Sequence, residues 1–311
     1  MPSRVLVTGG AGFIGSNLVR ALLERGDAVR VLDNFSTGNR ANLAGLEHDL
    51  EVIEGELRSY ERVHAAVRGS ELVFHLGALG SVPRSVQDPL TSSAVNVEGT
   101  LNVLLAARDE GVRRVVFASS SSVYGNQPEL PLNESMAPDP ISPYGVAKLA
   151  AERYCVSFTR VYHSFETVVL RYFNVFGPRQ DPRSQYAAVV PLFVRAIAND
   201  EPVTIFDDGE QSRDFTYVEN VVEANLLAAD GDGVTGRILN VSTGSPATVN
   251  ELADAVGELL EKQVQRQYLP ARPGDLRNSW ADGSEARRLL GWEPRIGLEE
   301  GLRLTIDALA G

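Results

Sequence analysis

The residues best suited to chemistry in this sequence are Tyr144 and Lys148, which stand four positions apart, and a run of serines at 119–122. On a helix, a spacing of four places two side chains on one face, about one turn apart. A phenol with a pKa of about 10 is a poor base at neutral pH. A fixed ammonium group nearby favours the phenolate and lowers that pKa. The pair, with serine hydroxyls beside the phenol, therefore predicts a site that takes a proton from an alcohol.

The N-terminal residues carry a second signal that gives the tyrosine and lysine a context. A short apolar run at 4–8 leads into glycines at positions 9, 12 and 15, then a helical pattern, then a strand pattern that ends at Asp33. Strand, glycine turn, helix and strand in this order predict a dinucleotide site, because glycines let the backbone approach a pyrophosphate at a helix N-terminus. Asp33 can bind both ribose hydroxyls and would repel a 2′-phosphate, which favours NAD over NADP.

Strand and helix patterns continue to alternate through the first half of the chain. This alternation predicts an α/β fold, a Rossmann-type doubly wound parallel sheet. Six strands are predicted, at 4–8, 28–33, 50–53, 72–76, 114–118 and 167–173, with long helices at 88–111 and 144–162. The serine run follows the fifth strand. Because ligands bind outside the carboxyl ends of such strands, the serines should share one edge of the sheet with the glycine turn.

The character of the sequence changes after residue 175, where the elements become short and are separated by Gly, Asp and Pro. We therefore expect an NAD-binding Rossmann domain at 1–175 and a smaller C-terminal α/β substrate lobe at 176–311. A predicted helix and strand within 218–241 could pack back on the first domain.

The amino-acid composition argues against several classes of binding partner. The chain has 311 residues and a net charge of −12, and an acidic protein repels polyanions, so nucleic acid is not an expected partner. The single cysteine, Cys155, excludes an internal disulfide and a cysteine metal cluster, and no metal is expected. We find no run of eighteen apolar residues and no secretory segment, so we expect no membrane association and a cytoplasmic enzyme.

Several longer motifs resemble one known family. The chain is similar over nearly its full length to the extended short-chain dehydrogenase/reductases, specifically the nucleotide-sugar 4-epimerases of the UDP-glucose/UDP-N-acetylglucosamine type. The motifs that carry the resemblance lie at 8–15, 33–36, 75–78, 82–85, 119–125, 144–148, 171–178, 212–215 and 272–275. The resemblance implies an NAD-dependent enzyme that interconverts C4 epimers of a UDP-hexose through a 4-keto intermediate.

The resemblance also implies roles for individual residues. Tyr144 would be the base for the C4 hydroxyl, Lys148 would hold the nicotinamide ribose and lower the phenol pKa, and Ser120 would bind the C4 oxygen. The residues implied to bind NAD are Gly9, Gly12, Phe13, Ile14, Gly15, Asp33, Asn34, Phe35, Ser36, Gly38, Glu56, Leu57, Leu76, Gly77, Ala78, Ala118, Tyr144, Lys148 and Phe173. Those implied to bind the UDP-sugar are Ser81, Ser120, Ser121, Ser122, Tyr144, Asn174, Ala188, Val189, Arg213, Arg272, Asp275 and Ser279.

A few sequence positions distinguish this chain from enzymes of the same superfamily that catalyse other reactions. Similar 4,6-dehydratases carry an Asp-Glu pair where this chain has Ser121 and Ser122, and serines cannot perform that acid–base step. A UDP-glucuronate 4-epimerase or decarboxylase stays open, because Ser121, Ser122 and Arg84 could bind a carboxylate at C5. A non-catalytic NAD(P)-binding sensor is the non-enzyme alternative, against which the presence of both Tyr144 and Lys148 argues.

Two further expectations follow from the resemblance. Ser279 occupies the family's size-gate position, and its small side chain predicts that UDP-GlcNAc and UDP-GalNAc are accepted alongside UDP-Glc and UDP-Gal. The helices predicted at 88–111 and 144–162 correspond to the pair that often forms a four-helix interface in this family. We therefore expect a homodimer.

Overall fold

The computed structural model describes residues 3–46, 48–181, 188–271 and 276–310, and its fold is built on one parallel sheet. The described strands, in chain order, are β1 (Arg4–Thr8), β2 (Ala28–Asp33), β3 (Leu50–Glu54), β4 (Leu72–His75), β5 (Arg114–Ser120), β6 (Glu166–Tyr172), β7 (Val203–Phe206), β8 (Ser212–Asp214), β9 (Ile238–Val241), β10 (Pro246–Thr248), β11 (Arg266–Leu269) and β12 (Asn278–Ser279). The described helices are α1 (Phe13–Glu24), α2 (Tyr60–Val67), α3 (Val82–Gln87), α4 (Pro89–Ser93), α5 (Gly99–Asp109), α6 (Pro143–Val161), α7 (Val189–Ala198), α8 (Val218–Asp230), α9 (Val249–Leu260), α10 (Ser284–Leu290) and α11 (Leu298–Ala310).

The central sheet has seven parallel strands in the order β3-β2-β1-β4-β5-β6-β9. Strand order reverses between β1 and β4, which makes a crevice at the carboxyl ends of these two strands, where doubly wound sheets bind ligands. The predicted Rossmann-type α/β fold is therefore confirmed. In the β5–β6 ladder, Ser119 lies opposite Arg171 and Ser120 opposite Tyr172.

Apolar residues fill both faces of the sheet, because helices cover each side. Leu18 and Leu22 of α1 and Val221 of α8 belong to one buried cluster, and Leu104 of α5 and Cys155 of α6 belong to the other. A parallel sheet covered on both faces reads as continuous apolar runs, which explains why its strands were visible in the sequence. Cys155, the single cysteine of the sequence, is a buried free thiol.

Two predictions about elements need correction. Among the described residues the sheet has seven strands rather than six, because β9, from the C-terminal half of the sequence, pairs in parallel with β6. This pairing agrees with the expectation that a strand within 218–241 could pack back on the first domain. The helix expected at 88–111 is not uniform, since a π-helical stretch at Ala94–Glu98 separates α4 from α5. The side chain of Asn96 in this stretch accepts a hydrogen bond from the Leu79 N–H at 2.8 Å and donates one to the Leu79 carbonyl. Such local widening of a helix often marks a functional site.

Many of the elements after residue 175 form a second apolar core beside the carboxyl edge of the sheet, whereas β9, α10 and most of α8 pack with the first. Strands β10, β8 and β12 make one small sheet and β11 and β7 make another. Phe193 of α7, Leu252 of α9 and Leu302 of α11 are buried together in this core. None of the helices in the described ranges is long and apolar enough to span a membrane.

Candidate active site

A cavity of about 560 Å³ lies at the carboxyl edge of the sheet, over the crevice between β1 and β4. Its lining comes from the turns that follow six neighbouring strands, β3, β2, β1, β4, β5 and β6, and from the first turns of α3 and α6. Residues that are far apart in the sequence meet here because parallel strands end at a common edge. Fold and cavity together place the glycine turn and the serine run in one site, as predicted.

The glycine turn forms one wall of the cavity. Gly12 is the N-cap of α1, and the first backbone N–H groups of this 12-residue helix have no partner within the helix. Gly15 packs so tightly on the turn that a Cβ atom on it would collide with the carbonyl oxygen of Gly9. Backbone N–H groups and the positive end of the helix dipole therefore face the cavity where Gly9, Gly12 and Gly15 leave the backbone without side chains, as a pyrophosphate requires.

Asp33 stands beside this turn at the end of β2 and is 7% exposed. Its two carboxylate oxygens accept hydrogen bonds from the backbone N–H groups of Ala11, at 2.9 Å, and Phe35, at 2.8 Å. Burial raises the pKa of the Asp33 carboxyl, and these backbone hydrogen bonds act in the opposite direction. Each oxygen keeps lone pairs for a further donor, so the carboxylate can accept hydrogen bonds from two ribose hydroxyls.

A buried hydrogen-bonded chain fixes the neighbouring wall, which is the turn after β4. His75 contacts the hydroxyls of Thr8, at 2.7 Å, and Thr100, at 3.0 Å, and Thr100 in turn donates to the Asn96 carbonyl. Burial lowers the pKa of His75 to about 3, so the imidazole is neutral at physiological pH. Through Asn96, this chain holds Leu79 and thus the turn after β4 that lines the cavity.

Tyr144 and Lys148 enter the cavity from the first turns of α6. Ser142 caps this helix by accepting a hydrogen bond from the Gly145 N–H at 3.1 Å, and Pro143 occupies its first position. The phenol of Tyr144 forms a hydrogen bond with Ser120 at the end of β5. The ammonium of Lys148, which is 3% exposed, donates to the carbonyl of Ala118 at 2.8 Å. The catalytic trio predicted from the sequence therefore lies together.

The pKa of Tyr144 departs from the sequence prediction. Burial raises the phenol pKa, and the hydrogen bond with Ser120 lowers it, with burial the larger effect. The expected lowering by Lys148 is thus not the net result, because the lysine directs its ammonium to the Ala118 carbonyl. Burial also lowers the pKa of Lys148 itself to about 8, against the opposing influence of Cys155 and Glu152.

The depressed pKa of Lys148 leads to a direct test. The sequence contains only two lysines, Lys148 and Lys262, so protein labelled with ε-13C lysine should give two resonances, which a Lys262→Arg variant assigns. We expect the Lys148 resonance to titrate near pH 8. Because the ammonium is present below that pH and lost above it, a reaction that needs it should slow as pH rises through 8. Titration of Lys148 only above a pH of about 10, the ordinary value for lysine, would contradict this assignment.

Comparison with known proteins identifies the family. A sequence model of the NAD dependent epimerase/dehydratase family matches residues 5–242. This chain belongs to that family. Among curated members, a UDP-glucose 4-epimerase of Mycolicibacterium smegmatis is 39% identical over 313 residues, covering 98% of this chain and 97% of the relative.

Two solved structures of epimerases from this group superpose closely on the chain. A UDP-N-acetylglucosamine 4-epimerase from Methanobrevibacter ruminantium, in complex with UDP-N-acetylmuramic acid, has a TM-score of 0.94 and 41% identity, covering 99% of this chain and 98% of that one. A UDP-glucose 4-epimerase of Thermus thermophilus, in complex with NAD, has a TM-score of 0.91 and 41% identity, covering 99% of each chain.

Most residues predicted for the epimerase/dehydratase site line the cavity. The NAD-binding predictions found there are Gly9, Gly12, Phe13, Ile14, Gly15, Asp33, Asn34, Ser36, Gly38, Glu56, Leu57, Leu76, Gly77, Ala78, Ala118, Tyr144 and Lys148. The substrate-binding predictions found there are Ser81, Ser120, Ser121, Ser122, Tyr144 and Asn174.

Two predicted aromatic contacts to the cofactor need correction. The Phe173 ring is fully buried and packs against the Tyr124 ring, 6.3 Å between centroids, behind the cavity wall. The Phe35 ring lies under the guanidinium of Arg40 at 3.8 Å, and its contribution to the site is the backbone N–H bound to Asp33. Apolar side chains next to a strand end can turn to either face, which the sequence pattern could not distinguish.

The remaining substrate predictions lie away from the cavity that the described residues form. Ala188 is exposed just before α7, and Val189 is the first residue of that helix. Arg213 on β8 donates hydrogen bonds to the backbone carbonyls of Ser212 and Arg277. Ser279 on β12 is 5% exposed and pairs in register with Arg213. Arg272 and Asp275 are outside the described residues.

The cavity also includes residues that the sequence analysis did not assign. They come from the turns after β2 and β4, the π-helical stretch and β6, and include Thr37, Leu79, Gly80, Val82, Val95 and Tyr172. The turn residues could have been found from the rule that ligands bind at strand ends. Val95 had no such signal, because its place in the wall depends on the π-helical stretch.

Proposed function

We propose that this protein is an NAD-dependent epimerase that interconverts C4 epimers of a UDP-hexose, UDP-Glc with UDP-Gal and also UDP-GlcNAc with UDP-GalNAc, through a 4-keto intermediate. The observation that carries the proposal is the meeting of Tyr144, Ser120 and Lys148 in the same cavity as the glycine turn and Asp33. A proton acceptor for a sugar hydroxyl and a dinucleotide cradle are the two parts that this reaction needs.

The residues present fit NAD. A cavity wall of bare backbone at the N-terminus of α1 suits a pyrophosphate, and a Cβ on Gly15 could not be accommodated there. The Asp33 carboxylate suits a ribose with two free hydroxyls and opposes a 2′-phosphate. The bound dinucleotide would supply the acceptor and donor of hydride for sugar C4. Lys148 and the turn at Gly77 and Ala78 would hold its nicotinamide end.

The chain's own residues handle the proton and the sugar orientation. Tyr144, in its phenolate form, takes the proton from the C4 hydroxyl as the hydride leaves C4, and Ser120 would hold that oxygen by a hydrogen bond. Burial favours the neutral phenol, so the Lys148 ammonium and the positive charge of the oxidised nicotinamide would have to favour the phenolate once NAD is bound. The 4-keto sugar then turns about its diphosphate linkage and presents its other face. Tyr144 returns a proton to the C4 oxygen as hydride returns to carbon, which completes inversion. Binding the nucleotide part firmly and the sugar loosely places binding energy away from the group that rotates.

The nucleotide of the substrate is assigned to the second apolar core. In this proposal the nucleotide extends from Asn174 in the cavity towards Arg213, Ala188 and Val189, which lie outside it, and the predicted contacts of Arg272 and Asp275 belong to the same part. The proposal also divides the chain into an NAD-binding domain at 1–175, on which α8 and β9 pack back, and a substrate lobe made from the other elements of 176–311. A cytoplasmic location is also proposed.

Acceptance of N-acetylated sugars depends on Ser279. We expect Ser279→Tyr to abolish turnover of UDP-GlcNAc while sparing UDP-Gal, because the family resemblance puts position 279 beside the sugar and a phenol there would fill the space that an N-acetyl group needs. Rates with both substrates would be measured for this variant and for Ser279→Ala as the matched control, which keeps the side chain small. Equal loss of both activities in Ser279→Tyr would contradict the size-gate role.

A UDP-hexuronate is the second candidate substrate, because Arg84, Ser121 and Ser122 line the same cavity. A guanidinium and two hydroxyls can bind a carboxylate at C5. An incubation experiment distinguishes the UDP-hexose proposal from the UDP-hexuronate proposal. Purified protein is incubated, without added NAD, with UDP-Glc, UDP-GlcNAc and UDP-GlcA, and the products are resolved. Formation of C4 epimers of the neutral sugars would support the main proposal. Release of CO₂ from UDP-GlcA, with no reaction of the neutral sugars, would instead indicate a UDP-GlcA decarboxylase. Binding without turnover of any of these sugars would favour a sensor.

A homodimer is proposed from exposed apolar side chains on neighbouring helices. Val86 of α3, Leu90 of α4 and Val146 of α6 are 63%, 83% and 54% exposed, and these three helices pack against one another. Contiguous exposed apolar residues mark interaction surfaces. We expect Leu90→Arg to convert a dimer into a monomer in sedimentation at micromolar concentration, with Leu304→Arg on α11 as the control. A monomeric unmodified protein would refute the homodimer.

A further inference from the structure

The end of β5 is joined to α6 by three successive residues. Each contacts one of three α6 residues spaced four apart, which therefore lie on one helix face. The contacts are Ala118 carbonyl with Lys148 Nζ, Ser119 Oγ with Glu152 Oε1, and Ser120 with the Tyr144 phenol. Two of these three α6 residues already have a proposed catalytic role. The third, Glu152, lies beneath them and has none.

Glu152 forms a two-point ion pair with Arg171 of β6. The Arg171 Nε donates to Glu152 Oε1 at 2.9 Å and Nη2 donates to Oε2 at 2.8 Å. The side chains are 0% and 2% exposed. Ser119, opposite Arg171 in the ladder, donates to the same Oε1 at 2.5 Å. The carboxylate therefore ties together β5, β6 and α6 directly under the cavity floor.

A buried ion pair is a weak source of folding stability, since desolvation of the two charges offsets their attraction. Well-packed apolar residues of similar size often serve stability equally well. The Glu152–Arg171 pair is therefore better explained by its effect on neighbouring residues of the site than by a contribution to the stability of the fold.

One of the neighbours on which Glu152 acts is the Lys148 ammonium. Titratable groups face this layer from α6, β6, β4 and the turn after β5, and they are Glu152, Cys155, Tyr144, Arg171, His75 and Tyr124. His75 is neutral, and burial raises the pKa values of the Cys155 thiol and of the two phenols, so these groups are uncharged near pH 8. Arg171 is a cation, and a further carboxyl group, that of Glu134 in the segment before α6, acts on Arg171 and Tyr124. Of these two acidic residues, Glu152 is the one that acts on Lys148.

We infer that Glu152 is a positioning residue of the catalytic site: through Ser119 it fixes the register of α6 on the end of β5, and its negative charge keeps Lys148 protonated. This inference rests on the proposed catalytic role of Tyr144 and Lys148. Arg171 holds the carboxylate in place and balances it. Neither residue of the pair needs to touch the substrate.

The charge part of the inference is tested on the protein without any substrate. In ε-13C-lysine-labelled Glu152→Gln, we expect the Lys148 resonance to titrate about one pH unit lower than in the unmodified protein, because an anion one helical turn away is lost. The Lys262 resonance serves as the internal reference. This measurement is independent of epimerase activity, so its failure is distinguishable from a failure of the proposed function.

The positioning part is tested with Ser119→Ala, which removes one hydroxyl and leaves the ion pair intact. We expect kcat to fall about fivefold with KM for the UDP-sugar unchanged, as for one lost hydrogen bond, and the Lys148 titration to stay at its original pH. In Glu152→Gln, kcat should fall further and its alkaline limb should move to lower pH. An unchanged Lys148 titration and unchanged kcat per folded molecule in Glu152→Gln would overturn the inference.

A variant with an unpaired Arg171 could fail to fold, so a second variant removes both charges. Glu152→Gln combined with Arg171→Met leaves no uncompensated buried charge and should fold. If the pair positions the site, this double variant keeps its thermal stability and loses kcat. If the double variant folds and retains the original kcat and pH profile, the pair is structural only and the inference is wrong.

Discussion

Replacing Tyr144 with phenylalanine should lower kcat for C4 epimerisation by about 10²- to 10⁴-fold, the usual contribution of a positioned proton acceptor. The phenol oxygen is the group that meets Ser120 in the cavity, and phenylalanine keeps the ring that packs there. The affinity for NAD, measured by calorimetry on the same variant, should change little, because Lys148, Asp33 and the glycine turn are untouched.

A second tyrosine on the same helix provides the matched control. Tyr154 of α6 is 40% exposed and points away from the cavity lining. Tyr154→Phe removes an equivalent hydroxyl and should keep kcat within about twofold, the range of surface substitutions. If Tyr144→Phe retained more than about a tenth of the original rate, another group would have to accept the proton.

Gly15→Ala should weaken NAD binding by about ten- to hundredfold. A Cβ at this position would collide with the Gly9 carbonyl oxygen and come within 2.9 Å of the Gly10 Cα, so the start of α1 must shift away from the turn. Overpacking of this kind typically costs about 1–3 kcal/mol, and about 1.4 kcal/mol corresponds to a tenfold change in affinity. The shift moves the N–H groups that a pyrophosphate would contact.

Gly297→Ala controls for the general effect of adding a methyl group. Gly297 lies just before α11, where an added Cβ meets no atom within 4 Å. Its NAD affinity and melting temperature should match those of the unmodified protein. Unaltered NAD affinity in Gly15→Ala would show that the dinucleotide does not bind at this turn.

The sheet and the positions of the main motifs could be predicted because they are local patterns. Runs such as Val5–Thr8 are buried on both faces and end at glycines, and the Tyr144–Lys148 spacing follows from one turn of helix. The seventh strand was harder to place, since β9 pairs with β6 over a separation of more than sixty residues. A short apolar run carries no information about which distant strand it joins.

Details of the site that depend on packing could not be read from the sequence. The sign of the pKa shift of Tyr144 is decided by burial, and the direction of the Lys148 ammonium by the carbonyl of Ala118. Phe173 looks like a cavity residue by position, yet its ring turns into the core against Tyr124. The π-helical stretch that brings Val95 to the cavity wall is likewise a result of tertiary contacts.

The way β9 completes the sheet has a consequence for dissecting this protein. A recombinant fragment that stops at residue 175 would lack β9, and the unpaired backbone of β6 would then become an open edge with Val168 to Leu170 beside it. Open apolar edges promote aggregation. The second core is built from the stretch between β6 and α8 and from the stretch after β9. Grafting a foreign nucleotide-recognition part onto this chain therefore requires three splice points, two that flank the first stretch and one after β9, so that the last strand stays with its neighbours.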